Sequence, residues 1–228
     1  MPNPTCFQTI QVNRLRIARL TPTGAPLTGA GNGYVTDSIE EIGISLDIEE
    51  GEEFVKKNGS GKICARKRDD DSIKGATLSL TLCQYDYQLL SLITAADRFT
   101  SGGNIVGFQI PKSTASSIFV SVEAWTTAWD GTGVAIPALT TPNAAYHHFV
   151  FPKVRFTIAD HALNSDFTSL PFTGIAEENT NITANGPFDD WPVAVRNGNG
   201  VTSAYGVFLD PVLPAAACSF ISVTSAAS

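Results

Sequence analysis

Two short runs of strict alternation limit what this chain can fold into. In EEIGISLDIEE, residues 40–50, Ile42, Ile44, Leu46 and Ile48 project to one side of an extended backbone, while Gly43, Ser45 and Asp47 project to the other. In ATLSLTLCQ, Leu78, Leu80 and Leu82 alternate in the same way with Thr77, Ser79 and Thr81. A period of two marks a half-buried strand, and two such strands joined by one connection are expected to be neighbours in an antiparallel sheet.

The connection itself is unusual. Lys56, Lys57, Lys62, Arg66, Lys67 and Arg68 are six of the 15 basic residues in a chain with 22 acidic ones. They are fenced by Glu49, Glu50, Glu52 and Glu53 on one side and by Asp69, Asp70 and Asp71 on the other. Asn58, Gly59, Ser60 and Gly61 supply the positive-φ positions of a hairpin tip, and Phe54, Val55, Ile63 and Cys64 flank it as short arms. Residues 50–73 therefore read as a projecting β-arm.

A single charge run is ordinarily a solvated face. Here segregated opposite charges with apolar residues between them make a surface that can complement a copy of itself, the acidic shoulder of one molecule meeting the basic strip of the next. Exposed ion pairs contribute only about 0–1 kcal/mol each, so such a strip sets register and partner while apolar contacts supply affinity. Head-to-tail contacts of this kind build rings or filaments.

Further strands are expected at residues 14–20, 117–125, 146–159, 192–196, 204–209 and 218–224, with turns at residues 130–133 and 197–200. Pro152 interrupts the 146–159 run, which must be bent, bulged or at an edge there. One segment, YDYQLLSLITAADRF, reads as a helix: Leu89, Leu92 and Ile93 fall on one face, and Asp86 is placed to cap its N-terminus. The fold class is mainly β, a β-sandwich or partly closed barrel with one flanking helix, in a single domain over residues 1–228.

Hydrophobic residues make up 43% of the chain and charged ones 16%, enough for a sizeable core and too apolar for disorder. So little charge also suggests that much of the surface is covered by something other than water. A net charge of −7 argues against a duplex-binding surface, because affinity for phosphates comes largely from Lys and Arg. No stretch approaches the ~20 apolar residues of a membrane span. MPNPTCFQTIQVNRLRIARL lacks the basic start, continuous apolar stretch and cleavage site of a signal peptide. Cys6, Cys64, Cys83 and Cys218 form no close pairs of the zinc or redox type and read as reduced, core-filling residues. The glycosylation patterns at Asn58 and Asn181 carry no meaning without a secretion signal.

The residues that could carry chemistry read as structural. His147 and His148 are adjacent, so on a strand they face opposite sides and cannot both reach one ion; His161 stands apart. Glu177 with Glu178 and Asp189 with Asp190 are sequence neighbours in turn-rich stretches, whereas glycosidase carboxylates converge across a cleft. Trp125, Trp129 and Trp191 could form a sugar platform, yet burial in a core or interface explains them as well. No nucleotide, dinucleotide or hydrolase fingerprint is present. The expectation is a non-enzymatic protein without cofactor or metal; the alternative is a carbohydrate-binding or carbohydrate-cleaving β-sandwich using those tryptophans and the Asp189/Asp190 pair.

The order of SIEEIGISLDIEEGEE, a charged loop, GATLSLTLCQYD, the helix DYQLLSLI and the later FTSLPFTGIAEENTNITANGPFDDWP resembles the major tail tube proteins of long-tailed, non-contractile bacteriophages, over about residues 14–192. The secreted tube protein of type VI systems shares that fold. The resemblance implies a β-sandwich subunit that forms hexameric rings, stacked into a hollow tube through which DNA leaves the capsid. It also implies that the arm, with Glu52, Glu53, Phe54, Lys56, Lys57, Lys62, Arg66, Lys67, Arg68, Asp69, Asp70 and Asp71, reaches a neighbouring subunit or ring. Partners would be other copies of the chain, tape measure and tail terminator or tip proteins, and double-stranded DNA passing without specific binding. The location would be the virion tail, assembled in the bacterial host cytoplasm. Asp47 and Glu49, on the polar face of their strand, are candidates to face the lumen. Residues 210–228 would be a C-terminal arm or a final strand, being too short for the ~100-residue immunoglobulin-like domain that some family members carry.

Overall fold

A computed structural model describes residues 8–84, 86–94, 96–109, 118–129, 146–160, 169–182, 186–188, 191, 203–210, 212–215 and 218–224. In chain order these form β1 (Gln8–Leu20), β2 (Gly29–Thr36), β3 (Ile39–Glu49), β4 (Glu53–Lys57), β5 (Ile63–Arg68), β6 (Ser72–Leu82) and α1 (Tyr87–Thr94). There follow β7 (Asp97–Ser101), β8 (Asn104–Gln109), β9 (Phe119–Trp129), β10 (Tyr146–Ile158), β11 (Leu170–Glu177), β12 (Gly206–Asp210) and β13 (Ser219–Val223). The protein is mainly β with one helix, as the alternating runs require. The expected strand at 192–196 and the turns at 130–133 and 197–200 lie outside the described residues.

Nine strands make one antiparallel sheet in the order β13-β2-β1-β9-β10-β11-β6-β3, with β12 added to β10; β4-β5 and β7-β8 are separate ribbons. The long sheet folds over at β10. Residues Tyr146 to Phe151 pair with β9 on one side, and Lys153 to Ile158 pair with β11, the register slipping between Phe151 and Val154. Pro152 sits in that slip, where its missing N–H costs no ladder bond. The fold brings Leu15 and Ile17 of β1 into one core with Leu78, Leu80 and Leu82 of β6, Phe156 of β10 and Phe172 of β11. This is a sandwich-like arrangement that does not close as a barrel. An open cleft of about 180 Å³, lined by Val12, Ile42, Ile44 and Phe149 among others, separates β3 from β1 and β10.

The helix plugs this core. Leu89, Leu90, Leu92 and Ile93 are buried, and Asp86 caps the N-terminus by accepting the amides of Gln88 at 3.0 Å and Leu89 at 3.1 Å. The other oxygen of Asp86 accepts the Tyr34 hydroxyl, which ties β2 to the helix. Burial first, and then the adjacent carboxylate, push the Tyr34 phenol well above its ordinary range.

The central strands are buried on both faces. Residues Arg16 and Ala18 of β1, Glu123 and Trp125 of β9, and His148 and Val150 of β10 are all buried, while their sequence neighbours Ile17, Val122, Ala124 and Phe151 enter the first core. Ile182, Phe188, Trp191 and Val223 cover this second face with Ala18 and Val150. Within it Arg16 donates from Nε and Nη2 to the two oxygens of Glu123, each at 2.8 Å, and the His148 Nε2–Glu123 Oε2 distance is 2.9 Å. Trp125 stacks on His148 with ring centroids 4.1 Å apart. Burial raises the pKa of Glu123, but Arg16 and His148 outweigh it, and the carboxyl lies below its ordinary range.

Candidate functional site

The two alternating strands found in the sequence are neighbours. β3 and β6 pair antiparallel, with Ile42 opposite Leu80, Ile44 opposite Leu78, Leu46 opposite Ala76 and Ile48 opposite Ile73. The expectation of a half-buried β3 needs correction, however. Ile39 and Ile42 are packed against the core, but Ile44, Leu46 and Ile48 are 39, 42 and 55% exposed, and Ile73 is 62% exposed. Ile44 and Leu46 sit on the outer strand beside core residues Leu78 and Ala76, and at Ile48 and Ile73 the ribbon outruns the body. Among the described residues β3 pairs only with β6, which leaves one margin of the sheet open; β13, paired only with β2, forms the other margin.

Beyond β3 the arm forms as expected. β4 and β5 pair with Glu53 opposite Arg68, Phe54 opposite Lys67 and Val55 opposite Arg66. At the tip Asn58 Oδ1 accepts the amides of Ser60 at 3.1 Å and Lys62 at 2.9 Å, and Gly61 takes a φ of 81°. Every residue of β4 and β5 is exposed, including Phe54, Val55 and Ile63. At its root the Asp71 carboxylate accepts the Gly51 amide at 2.9 Å and Arg68 Nη2 at 3.1 Å. That backbone bond, more than Arg68, holds Asp71 below the usual carboxylate range.

The charges of the arm are arranged differently from the sequence expectation, in which the acidic shoulder waits for a neighbour's basic strip. Arg66 pairs with Glu53, Lys67 with Asp69 at 2.8 Å and Arg68 with Asp71 at 3.1 Å, all within the ribbon. Among the described residues Lys56, Lys57 and Lys62 make no ion pair, nor do Glu50, Glu52 and Asp70. Pairing in cis thus removes the charge from the middle of the arm and leaves a positive tip and a negative root. Of the two lumen candidates, Glu49 pairs with Lys74 at 2.9 Å and raises the pKa of that lysine, and Asp47 stands exposed near the same ammonium.

The competing chemistry finds less support. Trp125 and Trp191 are fully buried, so neither presents a ring to a sugar; the Trp129 side chain, Asp189, Asp190 and His161 lie outside the described residues. Glu177 pairs with Lys153 at 3.2 Å, and Glu178 is exposed. His148 is buried against Glu123, His147 points to the opposite face, and no cluster suited to a metal exists among the described residues. Cys64, Cys83 and Cys218 are exposed free thiols, not core fillers: Cys64 sits in a ribbon with no core, and the other two lie just outside strands. No helix among the described residues is long and apolar enough to cross a membrane.

Sequence reasoning missed four strands. No strand is expected at β2, GAGNGYVT, yet Gly33 lies so close to β13 that a Cβ there would stand 2.8 Å from the Ile221 side chain. The alternating burial of β11 in LPFTGIAE is visible in the sequence once Pro171 is allowed at its start. The β7-β8 ribbon has only Gly102 and Gly103 as its signal. No protein-family model matches the sequence, and no curated protein matches it as a relative.

Proposed function

We propose that this chain is a virion structural protein whose copies join edge to edge into hexameric rings, stacked as the hollow tail tube of a long-tailed bacteriophage and serving as a conduit for DNA ejection. The observation that carries this reading is that, among the described residues, β3 pairs only with β6 and leaves Ile44, Leu46, Ile48 and Ile73 exposed. An unpaired strand edge beside an apolar strip is what a solitary soluble protein avoids, and addition of a strand from another copy satisfies the edge. The second open margin at β13 gives each copy two dissimilar edges, one for each neighbour, as a closed ring of head-to-tail contacts requires.

The ring number comes from the resemblance. In that assembly Asp47, on the face opposite the apolar strip, and Glu49 beside it would look into the lumen. A net charge of −7 per copy then gives a wall with little affinity for phosphate, along which DNA slides. Tape measure protein inside the tube, terminator and tip proteins at its ends, and assembly in the host cytoplasm belong to the same reading. No catalytic role is assigned.

Sedimentation and electron microscopy of the purified chain test the proposal. Rings or tubes that grow with concentration are expected, and a protein that stays monomeric under every condition of salt and concentration would refute it.

A further inference from the structure

At the root of the arm, where β3 and β6 leave the body, a groove of about 400 Å³ opens between Leu46, Ile73, Lys74 and Gly75 on one side and Glu178, Ser203 and Tyr205 on the other. We propose that this groove receives the tip of the β4-β5 arm of a second copy, so that each arm docks on the root of the next in one repeating direction. The inference rests on the tube reading and specifies which surface the arm meets.

Three observations select this occupant. The first is charge. With Arg66, Lys67 and Arg68 neutralised inside the ribbon, the arm's free cations are Lys56, Lys57 and Lys62 at its tip. The free carboxylates Glu50, Glu52 and Asp70 lie at its root, Lys74 on the groove wall is already paired with Glu49 at 2.9 Å, and Glu178 opposite makes no ion pair among the described residues. The second is apolar surface: Ile63, 59% exposed beside the tip lysines, matches Leu46 and Ile73 at 42 and 62%. A two-stranded ribbon with every side chain in water is marginal alone, and docking supplies the cover it lacks.

The third is reach. Five residues of extended strand hold the tip ~17 Å from its own root, so a paired ribbon cannot fill the groove at its base. An arm that fills this groove therefore comes from another molecule. The β7-β8 ribbon also exposes Phe99 and Val106, but its tip, Ser101, Gly102, Gly103 and Asn104, brings no cation to Glu178.

Disulfide trapping tests this in the full chain. With Cys6, Cys83 and Cys218 replaced by serine, native Cys64 on the arm and Ser203→Cys in the groove should cross-link under mild oxidation. The product should be a ladder of dimers, trimers and larger species, lost when Cys64→Ser is added. Lys57→Glu with Lys62→Glu should slow the ladder about tenfold, equivalent to ~1.4 kcal/mol, and Glu178→Lys in the same chain should restore it. Tubes without a Cys64–Ser203→Cys cross-link overturn the groove assignment and leave the tube reading standing. A dimer band that never extends overturns the repeating direction, and a monomer that forms neither ladder nor tube overturns both.

Discussion

Ile48 and Ile73 stand opposite each other in the β3-β6 register, and each leaves more than half of its surface in water, 55 and 62%. Their neighbours Ile42 and Leu80, in the same two strands, belong to the core. The change along one ribbon marks where the body of the protein ends and a surface for another copy begins. Replacing the pair by a charged one, Ile48→Lys with Ile73→Glu, should therefore leave the folded monomer within about 0.5 kcal/mol of the parent, since no core contact is lost. The same change should abolish rings and tubes. Chemical denaturation of the monomer and particle counts in electron micrographs measure the two effects separately.

Gly51 lies at the root of the arm, against the backbone of Asp69. A Cβ placed there would lie 1.9 Å from the Asp69 carbonyl oxygen, which is backbone and cannot step aside as a side chain does. Gly51→Ala should force the root of the ribbon apart and break the bond from the Asp69 amide to the Glu52 carbonyl, 3.0 Å in the parent. Limited proteolysis should then cut residues 58–61 markedly faster, while the thermal transition of the body moves little.

The arm root should also respond to acid. Asp71 has a folded pKa below its unfolded one, chiefly because its carboxylate accepts the Gly51 amide. Its contribution is fully present above the unfolded carboxyl value of about 3.9 and disappears as pH falls through the lower folded value. Exchange protection of the Gly51 amide should be constant from neutral pH down to about 4 and decline below it. Asp71→Asn should flatten that profile.

The buried group around Glu123 gives a different kind of prediction. Glu123→Gln removes the buried carboxylate that accepts two bonds of 2.8 Å from Arg16 and should destabilise the fold by about 3–5 kcal/mol. Replacing the three polar partners together, Arg16→Met, Glu123→Leu and His148→Phe, removes both the charges and their desolvation cost. That variant should be near neutral or more stable in denaturant titrations, with assembly intact.

The contrast between these sites explains what was legible in the sequence. The pairing of β3 with β6, the alternation of Leu78 to Leu82, the Asp86 cap and the Asn58 tip are encoded within a few residues and appear in the fold as expected, whereas the exposure of Ile44 to Ile48 is not encoded there. The Arg16–Glu123 pair spans 107 positions of sequence, and its burial depends on Ile182, Phe188 and Trp191 covering a face that alternation alone assigns to water. The glycines of β2 hide a strand because their packing reason, the approach of Ile221 to Gly33, lies in a distant segment. For the candidate interface the sequence marked the arm residues but not their pairing. Which cations remain free depends on the β4-β5 register, which places Arg66 within reach of Glu53 and leaves Lys57 opposite Ile63.

Hydrogen–deuterium exchange along β3, compared between free and assembled protein, tests the completion of this sheet by another copy. Alternate amides of Ile44 to Ile48, those turned away from β6, should exchange quickly in the monomer and become strongly protected in the tube. Equal, fast exchange of those amides in both states would mean that the margin stays bare and that copies of this chain do not join there.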